Sequence, residues 1–146
     1  MVVLFLISAI VCVAYGRLVV SWLTTRKLGY DFSCPGPFLR NSTPYHIVHF
    51  SLYGTVLWTG YLCAFPLWWL IPIFVITLTI TRYLGHRRGF VKYRGAHLAM
   101  LEDAKKGYAT YSETDLETIR AIAVLPNSVL KRKMQEQLRH ETQARR

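Results

Sequence analysis

The stretch Tyr45–Tyr83, YHIVHFSLYGTVLWTGYLCAFPLWWLIPIFVITLTITRY, decides the fold. It holds no acid and a single basic residue, Arg82, over about 39 positions, nearly twice the ~20 residues with which one helix crosses the ~30 Å hydrocarbon layer of a bilayer. It is therefore expected to cross twice. Phe65-Pro66 divides it, because proline is accepted in the first turn of a helix but not in its interior, and Trp68-Trp69 just beyond suit a membrane interface. Asn41-Ser42-Thr43-Pro44 reads as the helix start, with Thr43 as the capping oxygen. Toward the amino end, Val2–Leu23 is a further apolar run of about 22 residues, long enough for one more crossing. The expected fold is all-α, with three transmembrane helices at about 3–23, 45–64 and 67–84. The first is an anchor, and the other two form a tight antiparallel hairpin.

Charge divides the chain in the same place. Lys and Arg number 18 against 8 Asp and Glu, in a sequence that is 52% apolar. Asp31 is the only carboxylate before Leu101, and fourteen of the eighteen basic residues lie from Arg82 onward. The expected organisation is a transmembrane domain, 1–84, with a cytoplasmic connection at 24–43, followed by a basic helical cytoplasmic tail, 85–146. Every basic residue falls on the side of that connection and tail, or, as Arg17, can snorkel toward it, so the positive-inside rule puts the amino terminus out and the carboxyl terminus in. A cleaved signal peptide is the competing reading of the first run. It is disfavoured because such a peptide carries positive charge ahead of its apolar core, whereas Arg17 follows it. Cys12, Cys34 and Cys63 are odd in number and far apart, which leaves no disulfide framework and no CxxC knuckle. Asn41-Ser42-Thr43 matches a glycosylation acceptor, but this topology keeps it on the cytoplasmic side.

Within the spans, small residues recur every four positions: Ser8, Cys12 and Gly16 in the first, Thr55, Thr59 and Cys63 with nearby Gly60 in the second, Thr77 and Thr81 in the third. Such stripes let helix backbones approach closely in lipid. His46 and His49 share a face of the second span, continued by Tyr53 and Gly60, and an antiparallel hairpin would bring His86, and with it His97, to the same membrane surface. Three imidazoles are a candidate metal or haem site. Against it stand the absence of an orienting carboxylate and the repulsion of a cation by Arg82, Arg87 and Arg88. The expectation is accordingly no metal, no cofactor and interfacial histidines. Spans without Asp or Glu also lack the relay of a proton-coupled transporter.

Arg82, Arg87, Arg88, Lys92 and Arg94 form a juxtamembrane cluster that, with Arg17, is expected to bind anionic lipid headgroups; no nucleic-acid module accompanies it. Three helices should follow. Gly89–Lys106 stops at Gly107, Thr114 and Glu117 form a capping box that opens a helix bearing Leu116, Ile119 and Ile122, and Ser128 caps the last helix. There Leu130, Met134 and Leu138 form a narrow stripe suited to a partner helix or a membrane surface, or to folding back on Ile119 and Ile122. No phosphate loop, GxSxG, HExxH or paired carboxylates on a helix face occur. The pattern points to a non-enzymatic accessory or structural subunit that packs into a larger membrane assembly, or associates with itself, through its small-residue faces. In topology alone, the three spans, outward amino terminus and basic tail also resemble one class of holins, which implies a pore former. A membrane enzyme using His46, His49 and His86 is a further alternative.

Overall fold

A computed structural model describes residues 1–29 and 42–143, apart from the side chains at 42–45, 67, 137, 138, 141 and 142. Asp31, Cys34, Asn41 and the side chain at 138 thus lie outside the described residues. All the regular structure described is helical: α1 (Val2–Lys27), α2 (Ser42–Leu62), α3 (Leu67–Lys105), α4 (Glu113–Ala123) and α5 (Asn127–Gln143). Two stretches, Val2–Lys27 and Trp68–Lys105, are long and apolar enough to span a membrane. The described side chains of the second helix run only from His46 to Leu62, shorter than such a stretch, and are as apolar on average as those of the first.

The first three helices pack around α1. Phe5 approaches Gly60, Ser8 Oγ lies 3.0 Å from Thr59 Oγ1, and Gly16 meets His49, so α1 and α2 run antiparallel. Gly16 also meets Thr81, while Val20 faces Gly85 and Thr24 faces Gly89, so α1 and α3 run parallel. This changes the expected hairpin. Its arms meet near their turn, where Leu70 reaches Gly60, but over most of their length both lean on α1 more than on each other. The turn closes α2 in a Schellman geometry: Phe65 N–H donates to Gly60 O at 3.3 Å and Ala64 N–H to Tyr61 O at 2.9 Å. Ala64 takes the left-handed position there, with φ 59°.

The third helix continues without interruption for 39 residues, through the expected boundary at 84/85 and through the start of the separate helix expected at Gly89. Helix propagation depends on backbone bonding, and nothing between Tyr83 and Lys105 breaks it; glycine weakens an interior but does not end it. Pro72 is accommodated near the amino end. Termination comes at Gly107, φ 74°, with Tyr108 N–H donating to Asp103 O at 2.9 Å. Two further expectations shift. The cap of α4 is Ser112, whose Oγ accepts from Asp115 N–H, rather than Thr114, and α5 begins at Asn127 just after Pro126, ahead of Ser128.

Helices α4 and α5 return along α3. Leu28, Phe90, Tyr93, Leu130 and Met134 form one buried cluster, with Ile122 and Leu125 packed against it. A second cluster, Phe5, Cys12, Tyr53 and Val56, lies inside the three-helix bundle. Arg94 Nη1 donates to Leu125 O at 2.9 Å and ties the α4–α5 turn to α3.

Candidate functional site

The small residues expected to pack against other helices occupy the contacts of α1 with α2 and α3. Cys12 is fully buried, Gly16 sits between His49 and Thr81, Gly60 lies under Leu70 and Phe5, and Ser8 meets Thr59. Thr77 is buried as well. Thr55 is exposed, and its hydroxyl donates to Ser51 O at 3.0 Å. Two members of the α3 stripe escaped the sequence reading: Gly85 and Gly89 extend Thr77 and Thr81 at the same four-residue spacing, across the boundary where charge begins. A methyl built on Gly89 would stand 2.7 Å from Thr24 Cβ and 2.9 Å from Ser21 O. These faces are therefore filled from within the chain. Likewise Leu130, fully buried, and Met134, expected to meet a partner helix, are covered by Leu28, Phe90 and Tyr93 of the same chain.

The histidines are dispersed. His46 is exposed, whereas His49 is buried against Gly16, its ring tilted at 44° to that of Tyr53 with 4.9 Å between centroids. His86 lies further along α3, where Nδ1 is 2.9 Å from Thr24 Oγ1. His97 is buried three turns beyond, its Nδ1 2.8 Å from Tyr93 O. Among the described residues no three His, Cys, Asp or Glu are placed to hold a metal ion. At the bundle's centre His49 Nε2 is buried with no hydrogen-bond partner among the described residues, while the buried hydroxyls of Tyr53 and Thr81 face one another.

The tautomer of His86 follows from its partner. Thr24 Oγ1 donates its only hydrogen to Val20 O at 2.6 Å, so it accepts from His86 Nδ1–H, and the neutral ring keeps its lone pair on Nε2. Burial, and after it Lys27, Arg82 and Lys131, hold the imidazole below the ordinary histidine range.

The basic residues divide into two groups. Arg17, Arg82, Arg87 and Lys92 are exposed, Arg88 is half-buried, and Arg94 is also half-buried and committed to Leu125 O. The outer surface of the bundle is apolar on all three helices, with Ile7 and Ile10 on α1, Phe50 and Trp58 on α2, and Ile71 and Ile76 on α3 all more than half exposed. An open groove of about 660 Å³ runs between α2 and α3, lined by Leu57, Trp58, Tyr61, Leu70, Ile71 and Phe74. Comparison of the chain with protein-family models, with curated proteins and with solved structures finds no match.

Proposed function

We propose that the chain is a non-enzymatic integral membrane protein that crosses the bilayer three times, amino terminus out and carboxyl terminus cytoplasmic, and serves as an accessory subunit of a larger membrane assembly. The alternation of direction, α1 parallel to α3 and antiparallel to α2, is what three successive crossings require. Exposed aliphatic and aromatic side chains around all three helices suit lipid, since soluble monomers rarely expose contiguous apolar patches beyond a few hundred Å². The polar side chains of α2 are compatible with crossing, because His49, Tyr53 and Thr59 are buried in the bundle.

The observation that carries the subunit reading is the groove between α2 and α3. With the small-residue faces consumed internally, this concave apolar surface remains outward, and its occupant is proposed to be a transmembrane helix of a partner, held by van der Waals contact. Photo-crosslinkers at Trp58 and Ile71 in native membranes should capture protein, and one at Ile10 on the outer face of α1 should capture lipid. Lipid alone at all three positions would overturn the subunit reading. Release of the chain by alkaline carbonate, or a carboxyl-terminal reporter found outside, would overturn the topology. Dye release from vesicles by the purified chain would favour a pore former instead.

A further inference from the structure

We propose that the cleft between α3 and the start of α5 binds the phosphate monoester of an anionic membrane lipid, gripped by Arg82, Arg87 and Lys131, with the acyl chains leaving past Thr79 and Tyr83. The cleft has a volume of about 570 Å³, within the ~300–1,000 Å³ of small-molecule sites. One wall is α3, from which Arg82, His86 and Arg87 project; the other is α5, which supplies Asn127, Ser128 and Lys131. Phe90 and Met134 form the apolar floor, and both belong to the buried cluster that docks α5 on α3.

Cations from two helices face one space, and no carboxylate is among the described residues that line it. Their mutual repulsion opposes the arrangement, which is held together by the packing of Leu130 and Met134 on Leu28, Phe90 and Tyr93. An anion between them relieves that repulsion. The opening turn of α5 adds to the field: Asn127 and Ser128 begin a 17-residue helix and lie at the positive end of its dipole. Lys27, from the end of α1, acts on the same His86 as Arg82 and Lys131 do, so positive potential converges here from three helices.

Two features narrow the ligand. Three fixed cations exceed the single charge of a phosphodiester and match the roughly −1.5 to −2 of a phosphate monoester, with guanidinium groups suited to its oxygens. Thr79 and Tyr83, both exposed, place one rim of the cleft at the end of the apolar stretch of α3, so a phosphate held here can remain attached to a lipid in the leaflet. This rests on the three-span reading proposed above.

The test uses the full chain in mild detergent, titrated with phosphatidic acid, with phosphatidylglycerol, and with inorganic phosphate as competitor, the bound lipid being counted by native mass spectrometry. Phosphatidic acid should bind several-fold tighter than phosphatidylglycerol. Arg87→Ala and Lys131→Ala, both at exposed positions outside the buried clusters, should each weaken it roughly tenfold, the scale of one charge-assisted contact. Arg139→Ala, an exposed cation elsewhere on α5, should leave it unchanged. Equal binding of the two lipids, or equal losses in all three variants, would overturn the site and leave only diffuse charge attraction. Inorganic phosphate binding as tightly as phosphatidic acid would overturn the lipid assignment. A chain that resists carbonate extraction yet fails these tests refutes the cleft alone; a chain released by carbonate refutes the topology beneath it.

Discussion

Alanine in place of glycine should have opposite effects at two pairs of helical sites. At Gly54 and Gly95 an added methyl meets nothing within 4 Å, so the substitution should be neutral or stabilise by up to about 1 kcal/mol through helix propensity. At Gly85 the methyl would lie 2.5 Å from Val20 Cβ, 2.7 Å from Val20 Cγ1 and 3.3 Å from Arg17 O; at Gly89 it would lie 2.7 Å from Thr24 Cβ and 2.9 Å from Ser21 O. Carbon atoms rest at about 3.5–4.0 Å, and these neighbours are backbone atoms or the first atoms of β-branched side chains, which cannot rotate aside. Relief requires α1 and α3 to separate by about 1 Å over a turn, and overpacking of this kind costs about 1–3 kcal/mol. After the propensity gain, each variant should lose about 1–2 kcal/mol. The double variant should lose less than the sum, because one separation relieves both clashes. Unfolding of the full chain by heat and by dodecyl sulfate in mixed micelles, followed by helicity, gives the measurement. Gly89→Ala as stable as Gly95→Ala would refute the close approach of α1 and α3, and with it the arrangement of the bundle around α1.

Three further outcomes are expected. Leu130→Ala, at a fully buried position, should cost about 2–5 kcal/mol of tail docking and speed proteolysis at Lys131–Lys133 while leaving the bundle's melting unchanged; an unaltered cleavage rate would contradict the docking. Ala64→Gly should stabilise by about 1 kcal/mol, because alanine holds a left-handed φ of 59° there; no gain in the same unfolding assays would argue against that turn. His86 should take up a proton when an anion fills the cleft, since its burial and Lys27, Arg82 and Lys131 depress the free value and an opposite charge raises it. The ratio of wild-type to His86→Gln affinity for phosphatidic acid should therefore rise as pH falls through the bound-state value, and a ratio flat from pH 8 to about pH 5 would refute the coupling.

Hydropathy and length suffice to locate the apolar helices, because a long uninterrupted apolar run is visible in composition alone. They do not reveal which helix lies in the middle. That depends on matching small residues across helices, and the stripe that decides it, Thr77, Thr81, Gly85 and Gly89, straddles Arg82, where the apolar stretch ends. Treating that charge boundary as a helix boundary removes Gly85 and Gly89 from view, although backbone bonding continues through both. The thin stripe of Leu130 and Met134 hides its purpose for a related reason. On its own helix it is too narrow to bury, and only the facing Leu28, Phe90 and Tyr93, distant in sequence, complete it. Lys131 and Asn127 carried no motif, and Ser128 only that of a helix cap; they matter because that docking brings them opposite Arg82 and Arg87.

Packing and the proposed site are mechanically one object. Gly89 lets Thr24 come close enough for its hydroxyl to lie 2.9 Å from His86 Nδ1. That bond leaves Nε2 as the ring's acceptor, and His86 lines the cleft with Arg87 and Phe90 of the same stretch of α3. A methyl at Gly89 therefore does more than loosen two helices: it withdraws Thr24 and frees the imidazole to change tautomer. At Gly85 the clash falls on Val20 and Arg17, a turn away from Thr24. If the two glycine variants are matched in stability, Gly89→Ala should lose the His86-dependent part of headgroup binding and Gly85→Ala should keep most of it. Equal losses would mean that the bond between Thr24 and His86 has no part in recognition, and that the cleft depends only on how far apart α1 and α3 stand.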